Sequence, residues 1–193
     1  SIDGNIYLGK VQNVLPGMEA AFVDIGTPKN AVLYRADVVL EGDQHGDAEG
    51  ELPNAGRGRS HRNNSNSSIR IEHILKNSQM TMVQVTKNPI MHKGARLTQE
   101  VSLAGRFVVL IPNQPTTYGI SKRLPDDERR RLRRILDAIR PDDAGLIVRT
   151  AAEGATDDEL RRDMLRLVEQ WNQIKELSER AAKAKKPTLL YRE

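Results

Sequence analysis

The stretch GNIYLGKVQNVLPGMEAAFVDIG, residues 4–26, decides how the chain begins to fold. Apolar and polar residues alternate through NIYLGKVQNVL, the pattern of a strand with one face turned inward. Pro16-Gly17 breaks the run as a turn does. MEAAFVDIG then resumes the alternation as far as Gly26, and NAVLYRADV, starting at Asn30, is a third run of the same kind. The first forty residues therefore read as short strands separated by turn residues.

Composition changes sharply beyond Leu40. From Glu41 to Ser68 Gly, Asn and Ser dominate and no aromatic residue occurs, and Arg57–Arg70 carries four arginines and one histidine. The segment 41–70 reads as a long polar loop, disordered or mobile. Such an insertion costs little, because loop-closure entropy grows slowly with length. Strand signal returns at TMVQVTKNPI (81–90) and ARLTQEVSL (95–103). Five short strands with Gly and Pro punctuation and one long loop predict a five-stranded barrel of the OB type over residues 3–104.

A second unit begins near Gly105 with the apolar run RFVVLIP. DDERRRLRRILDAIR (126–140) reads as a helix, with acids in its first turn where the helix dipole favours them. AGLIVRT (144–150) is a buried strand. Thr156 and Glu159 then form a capping-box pattern for a helix reaching about Ala184. Leu160, Met164, Leu167, Trp171 and Ile174 recur at spacings of three and four, so this helix has one apolar stripe. The stripe reads as core, with a docking face as the alternative. Pro187 ends the helix and TLLY looks like a last strand. The fold class is α+β multidomain: an OB-type β-barrel followed by a small α/β domain.

Totals exclude several chemistries. Cysteine is absent, which removes disulfides, thiolate metal sites and cysteine nucleophiles. His45, His61, His73 and His92 include no pair at metal-ligand spacing. No apolar run approaches the roughly 18 residues that span a membrane, and no signal-peptide pattern opens the chain. A cytoplasmic protein is the expectation. The chain opens inside a strand, as a piece of something longer would. Lys plus Arg (30) exceeds Asp plus Glu (26), a mild excess that permits an anionic partner without requiring one.

No catalytic constellation stands out. Asp126-Asp127 and Asp157-Asp158 open helices, where capping explains them better than metal binding, and Asp142-Asp143 sits in a turn after Pro141. No Ser-His-Asp arrangement, P-loop or zinc spacing occurs, so neither catalytic nor metal-binding residues are assigned. The barrel offers more. An OB-type surface binds single strands by stacking bases on aromatic rings while cations track the phosphates. Phe22 and Tyr34 are candidates for stacking, with the barrel core as the other place for Phe22. Lys87 and Lys93 flank the turn KNPIMHKG and can meet phosphates or simply be solvated. Arg149-Thr150, at the exit of a strand, pairs a fork of donors with a hydroxyl beside a turn rich in backbone N–H groups. That is an anion-binding combination, or else a solvent-facing arginine.

Four stretches taken together, GNIYLGKVQNVLPGMEAAFVDIG, HKGARLTQEVSLAGRFVVLIPN, GISKRLPDDER and GLIVRTAAEGA, resemble the ribonuclease E/G family of bacterial endoribonucleases. The similarity covers essentially the whole chain outside the 41–70 loop. It implies an S1 domain, an OB-fold RNA binder, over 3–104, and a 5′-sensor domain that prefers RNA with a 5′-monophosphate over 105–186. Residues 187–193 would then open an RNase H-like subdomain. The resemblance also implies that Arg149 and Thr150 grip a terminal phosphate, that Gly105 lets the backbone approach it, and that Val109 walls the pocket. In the S1 part it assigns RNA contact to Phe22, Lys87 and Lys93. Many members have phenylalanine where this chain has Val32, and Tyr34, on the same strand face, is positioned to supply the missing ring.

For a whole protein of the family, the resemblance implies cleavage of single-stranded RNA in RNA processing and mRNA decay. Magnesium would sit at a catalytic subdomain and zinc at an inter-subunit link, with homo-oligomers and a possible place in an RNA-degradation complex. The present chain would hold no cofactor and would be inactive alone. A stand-alone S1-type RNA-binding module without nuclease activity is the alternative. The sequence does not separate the E from the G branch, or indicate cleavage-site preference.

Overall fold

The computed structural model describes residues 1–40, 69–86 and 94–193. The expected polar loop lies outside the described residues except for Ile69 and Arg70, and Lys87 and Lys93 lie outside them as well. The described residues divide into two compact units, one containing those up to Val101 together with Ile174–Glu193, the other Ser102–Gln173.

In the first unit, β1 (Ile6–Leu15), β2 (Ala20–Asp24), β3 (Ala31–Tyr34), β4 (Met80–Val85) and β5 (Arg96–Thr98) form a closed barrel in the order β1-β2-β3-β5-β4 and back to β1. All neighbours are antiparallel except β3 and β5. The OB-type barrel read from the sequence is the one observed. Closure depends on the length of β1. Its first half pairs with β4, Ile6 opposite Gln84 through Lys10 opposite Met80. Its second half pairs with β2, and the register slips between Val11 and Asn13. A bulge there bends the strand and increases its twist, as closing a small barrel demands. Alternate residues fill the interior: Val11, Ala21, Val23, Leu33, Val83, Val85 and Leu97 are all at most 2% exposed.

β10 (Thr188–Tyr191) pairs with Ile6–Leu8 of β1 and so extends the barrel sheet instead of the sheet of the α/β unit. β2 leaves that half of β1 unpaired along one edge, and an open edge is satisfied by a further strand.

The second unit holds β6 (Leu103–Ala104), β7 (Val108–Pro112), β8 (Tyr118–Ile120), α1 (Asp126–Asp137), β9 (Ala144–Val148) and the start of α2 (Asp157–Ala184). Its sheet runs β6-β7-β9-β8, with β7 antiparallel and β8 parallel to β9. The parallel pair is joined through α1. Every residue of β7 and β9 is buried, which explains why both read as continuous apolar runs and not as alternating ones. α1 ends at Asp137, three residues short of the arginine that closes the sequence pattern. The residue before Pro141 disfavours helical geometry, and the chain leaves through a last bond from Arg140 N–H to Leu136 O (2.8 Å).

α2 begins at the expected capping box. Glu159 N–H donates to Thr156 Oγ1 (3.1 Å) and Thr156 N–H donates to Glu159 Oε1 (3.0 Å). The backbone N–H of Thr156 holds the Glu159 carboxyl below the ordinary carboxylate range. Leu160, Met164, Leu167, Trp171 and Ile174 are all buried, so the apolar stripe is core.

Candidate nucleic-acid interface

The antiparallel pairing of β7 with β9 and the parallel pairing of β8 with β9 bring three chain ends to one edge of the second sheet. These are the entrance to β7 and the exits of β9 and β8. Arg149 and Thr150 leave β9 there. Arg149 N–H donates to Phe107 O (2.9 Å), which continues the β7–β9 ladder, and its Nη1 donates to Gly105 O (2.8 Å). The half-buried guanidinium is thus fixed at one corner, and a guanidinium carries further donors in a rigid fork. Thr150 is exposed, with its Oγ1 2.8 Å from Oγ of the buried Ser121 at the end of β8. Ser121 is in turn placed by its N–H to Val148 O (3.1 Å). Gly105, Arg149 and Thr150 therefore stand together. Val109 is 2% exposed, with its side chain in a cluster with Ile111 and Ile147.

Two residues that sequence reasoning passed over shape this edge. Asp163 of α2 points at the turn before β7 and accepts the N–H groups of Arg106 (2.9 Å), Phe107 (2.9 Å) and Val108 (3.2 Å). Successive N–H groups converging on one anion form a nest, here filled by the protein's own carboxylate. Gly105 follows from this contact: a Cβ there would lie 2.6 and 2.7 Å from the Asp163 oxygens. A signal for Asp163 existed. It falls three residues after Leu160 and four before Leu167, so an acid sits on an apolar helix stripe, where only an internal partner makes it tolerable.

The second is Glu128 of α1. It accepts Arg131 Nε (2.6 Å) and Nη2 (2.8 Å), and also Gly154 N–H (2.6 Å). Arg131 first and the Gly154 N–H second pull its carboxyl down to about 2. Gly154 has φ +77°, a left-handed conformation that favours glycine. The bond ties down the chain just past the Thr150–Ala152 turn.

On the barrel, Phe22 is half-buried and outside the core cluster, with Ala21 and Val23 on either side of it facing inward. It lies opposite Asn13 on β1 and Val32 on β3. Tyr34, also half-buried, follows Val32 on the same strand face, and Arg96 lies opposite Val32 on β5. The Arg96 guanidinium sits 5.2 Å from the centre of the Tyr34 ring, within cation–π range. Its Nε donates to Oδ2 of the fully buried Asp37 (3.0 Å). Two rings and a guanidinium therefore share one outer face. Lys87 and Lys93 fall outside the described residues. Among the described residues no group of three or more His, Cys, Asp or Glu side chains could hold a metal. No described helix is long and apolar enough to cross a membrane.

The chain thus combines an OB-type barrel, which carries an aromatic-and-cationic strand face, with a small α/β unit, which carries an arginine-threonine pair at one end of its sheet. The ribonuclease E/G family model matches residues 102–193. The chain is 36% identical over 182 residues to ribonuclease G of Salmonella typhimurium, covering 93% of this chain and 34% of that protein. It is 37% identical over 191 residues to ribonuclease G of Haemophilus influenzae (97% and 34%) and 39% identical over 176 residues to ribonuclease E of the same organism (91% and 17%). The chain belongs to the ribonuclease E/G family. It spans about a third of the length of the ribonuclease G relatives, at 34%, and less of ribonuclease E, at 17%.

Proposed function

We propose that this chain engages single-stranded RNA and reads the phosphate at its 5′ end, as part of an endoribonuclease of the ribonuclease E/G type that acts in RNA processing and mRNA decay. The observation that carries this reading is the meeting of Arg149, Thr150 and Gly105 at one sheet edge, with Arg149 held by Gly105 O at 2.8 Å and Thr150 exposed. Arg149 supplies charge-assisted donors to phosphate oxygens. Thr150 adds a hydroxyl, which donates outward when the Ser121 hydroxyl donates to it.

The barrel face would hold the body of the strand. Phe22 and Tyr34 offer stacking surfaces that tolerate any base, and Lys87 and Lys93 would follow the phosphates. Holding the 5′ end at one point raises the effective concentration of the rest of the strand at the other. In this reading hydrolysis belongs to further parts of a parent protein, where magnesium and the inter-subunit zinc would also bind. Homo-oligomer formation and membership of an RNA-degradation complex are parent-protein properties too. This chain alone is expected to leave RNA intact in the presence of magnesium.

The test is binding of one short single-stranded RNA carrying either a 5′-monophosphate or a 5′-hydroxyl, to wild type and Arg149→Ala. A preference for the phosphate that disappears in the variant supports the reading. Equal affinity for both forms in the wild type favours a plain S1-type RNA-binding module.

A further inference from the structure

The turn Gly105–Phe107 has a second side. Arg106 and Phe107, with Glu159, Arg162, Asp163 and Arg166 of α2, line an open pocket of about 320 Å³ within the second unit. Three of its six lining groups are guanidinium ions. Its two carboxylates are engaged by the protein itself: Asp163 by three backbone N–H groups and Glu159 by the N–H of Thr156. The guanidinium groups are far less committed. Arg106 has a side chain 73% exposed and only a loose 3.8 Å approach to Glu159, and its guanidinium lies 4.8 Å from the centre of the Phe107 ring. Arg166 gives Nη2 to Asp163 (2.7 Å) and is 57% exposed. Arg162 gives Nε to Asp158 O (3.3 Å) and is otherwise exposed. A guanidinium has five N–H donors, so each of the three keeps most of them for an anion.

The volume lies at the lower end of that of small-molecule pockets, room for about one nucleotide. Its position matters more. The same three-residue turn gives Gly105 O and Phe107 O to Arg149 and presents Arg106 and Phe107 to the pocket. The terminal-phosphate candidates and the pocket are thus built on one turn.

We propose that the pocket takes the nucleotide following the 5′ end of a bound RNA, with Arg162 and Arg166 holding its phosphodiester. This rests on the reading of Arg149 and Thr150 as the terminal-phosphate site. It adds a sequence-independent contact, so the chain would recognise a 5′-phosphorylated strand and not an isolated phosphate group.

The experiment uses a ten-nucleotide single-stranded RNA with a 5′-monophosphate, with each of its first three linkages in turn replaced by an uncharged methylphosphonate. Binding is measured for the whole chain as wild type, Arg162→Gln, Arg162→Gln/Arg166→Gln and Arg149→Ala, with thermal unfolding as the check on folding. Arg162→Gln keeps the proposal testable if the double variant is unstable, because Arg162 is exposed and its hydrogen bond to a helix carbonyl is a long one, 3.3 Å. One neutral linkage is expected to weaken wild-type binding about fivefold, the worth of one exposed ion contact, and to cost the double variant almost nothing. A penalty equal in wild type and double variant, or no penalty at any of the three linkages, overturns the pocket proposal. If at the same time Arg149→Ala abolishes the preference for 5′-phosphate over 5′-hydroxyl RNA, the terminal-phosphate reading stands alone. If the wild type shows no such preference, both fall together.

Discussion

Replacing Asp163 by alanine removes one carboxylate and leaves three backbone donors without their partner. Phe107 and Val108 are buried, so their N–H groups have no water to turn to, whereas the exposed Arg106 can hydrate. Each buried orphan donor costs about 1–3 kcal/mol, so the substitution should destabilise the chain by roughly 3–5 kcal/mol, and the lost bond from the exposed Arg166 adds little. At about 2–4 °C per kcal/mol for a chain of this size, the melting temperature should fall by on the order of 10 °C. Gly105→Ala attacks the same contact from the other side. Its Cβ would stand 2.6 Å from Asp163 Oδ2, and forcing that carboxylate away should cost about 2–3 kcal/mol. In the double variant the methyl group meets no carboxylate, so Gly105→Ala should add almost nothing to Asp163→Ala. Urea unfolding of the four proteins gives a coupling energy, expected near 2 kcal/mol. Additive losses, or an Asp163→Ala loss below about 1 kcal/mol, would refute the argument that glycine stands at 105 to admit this carboxylate.

Other consequences follow from the same geometry. Ser121→Ala removes the hydroxyl 2.8 Å from Thr150 Oγ1; it should reduce the preference for 5′-phosphorylated RNA about threefold while costing under about 1 kcal/mol in urea unfolding, and an unchanged preference would count against hydroxyl relay. Glu128→Gln loosens the tie between α1 and Gly154 and should cost about 1 kcal/mol at neutral pH. Because the folded-state Glu128 is pulled to about 2 from an ordinary 4.5, its stabilisation is complete above the ordinary value and is lost as pH falls toward 2. Unfolding curves of wild type and variant should therefore converge in that window, and a gap constant from pH 6 to 2 would contradict the assignment. Phe22→Ala and Tyr34→Ala should each weaken binding of 5′-hydroxyl RNA about five- to tenfold, by loss of stacking. If Tyr34→Ala leaves binding untouched while Phe22→Ala weakens it, Tyr34 does not replace the ring missing at Val32.

Much of this fold was readable because period and punctuation agreed. Alternation through residues 5–38, broken at Pro16-Gly17 and Gly26, gave the first three barrel strands. The capping box at Thr156 and Glu159 fixed the start of α2 to the residue. Long-range partnership was harder to read. Nothing local in TLLY says that its free edge partner is Ile6–Leu8, 180 to 185 residues away in sequence. The short strand at Tyr118–Ile120 has too few residues for a period and exists because β9 offers it a parallel edge. At the candidate site, Arg149 and Thr150 drew notice as polar residues closing an apolar strand, but the carbonyl that holds Arg149 lies 44 residues earlier. Asp163 and Glu128 were passed over for opposite reasons. The first was hidden in an apolar stripe and the second in an acidic first turn that the helix dipole already explained.

The central claim is where the 5′ phosphate sits. The most direct measurement compares amide chemical shifts of the isotope-labelled chain with one short RNA in 5′-monophosphate and 5′-hydroxyl forms. The account predicts that shifts differing between the two forms cluster at Gly105, Arg149 and Thr150, while shifts common to both map to the barrel face around Phe22 and Tyr34. Differences confined to the barrel strands, or none at all at the sheet edge, would contradict it.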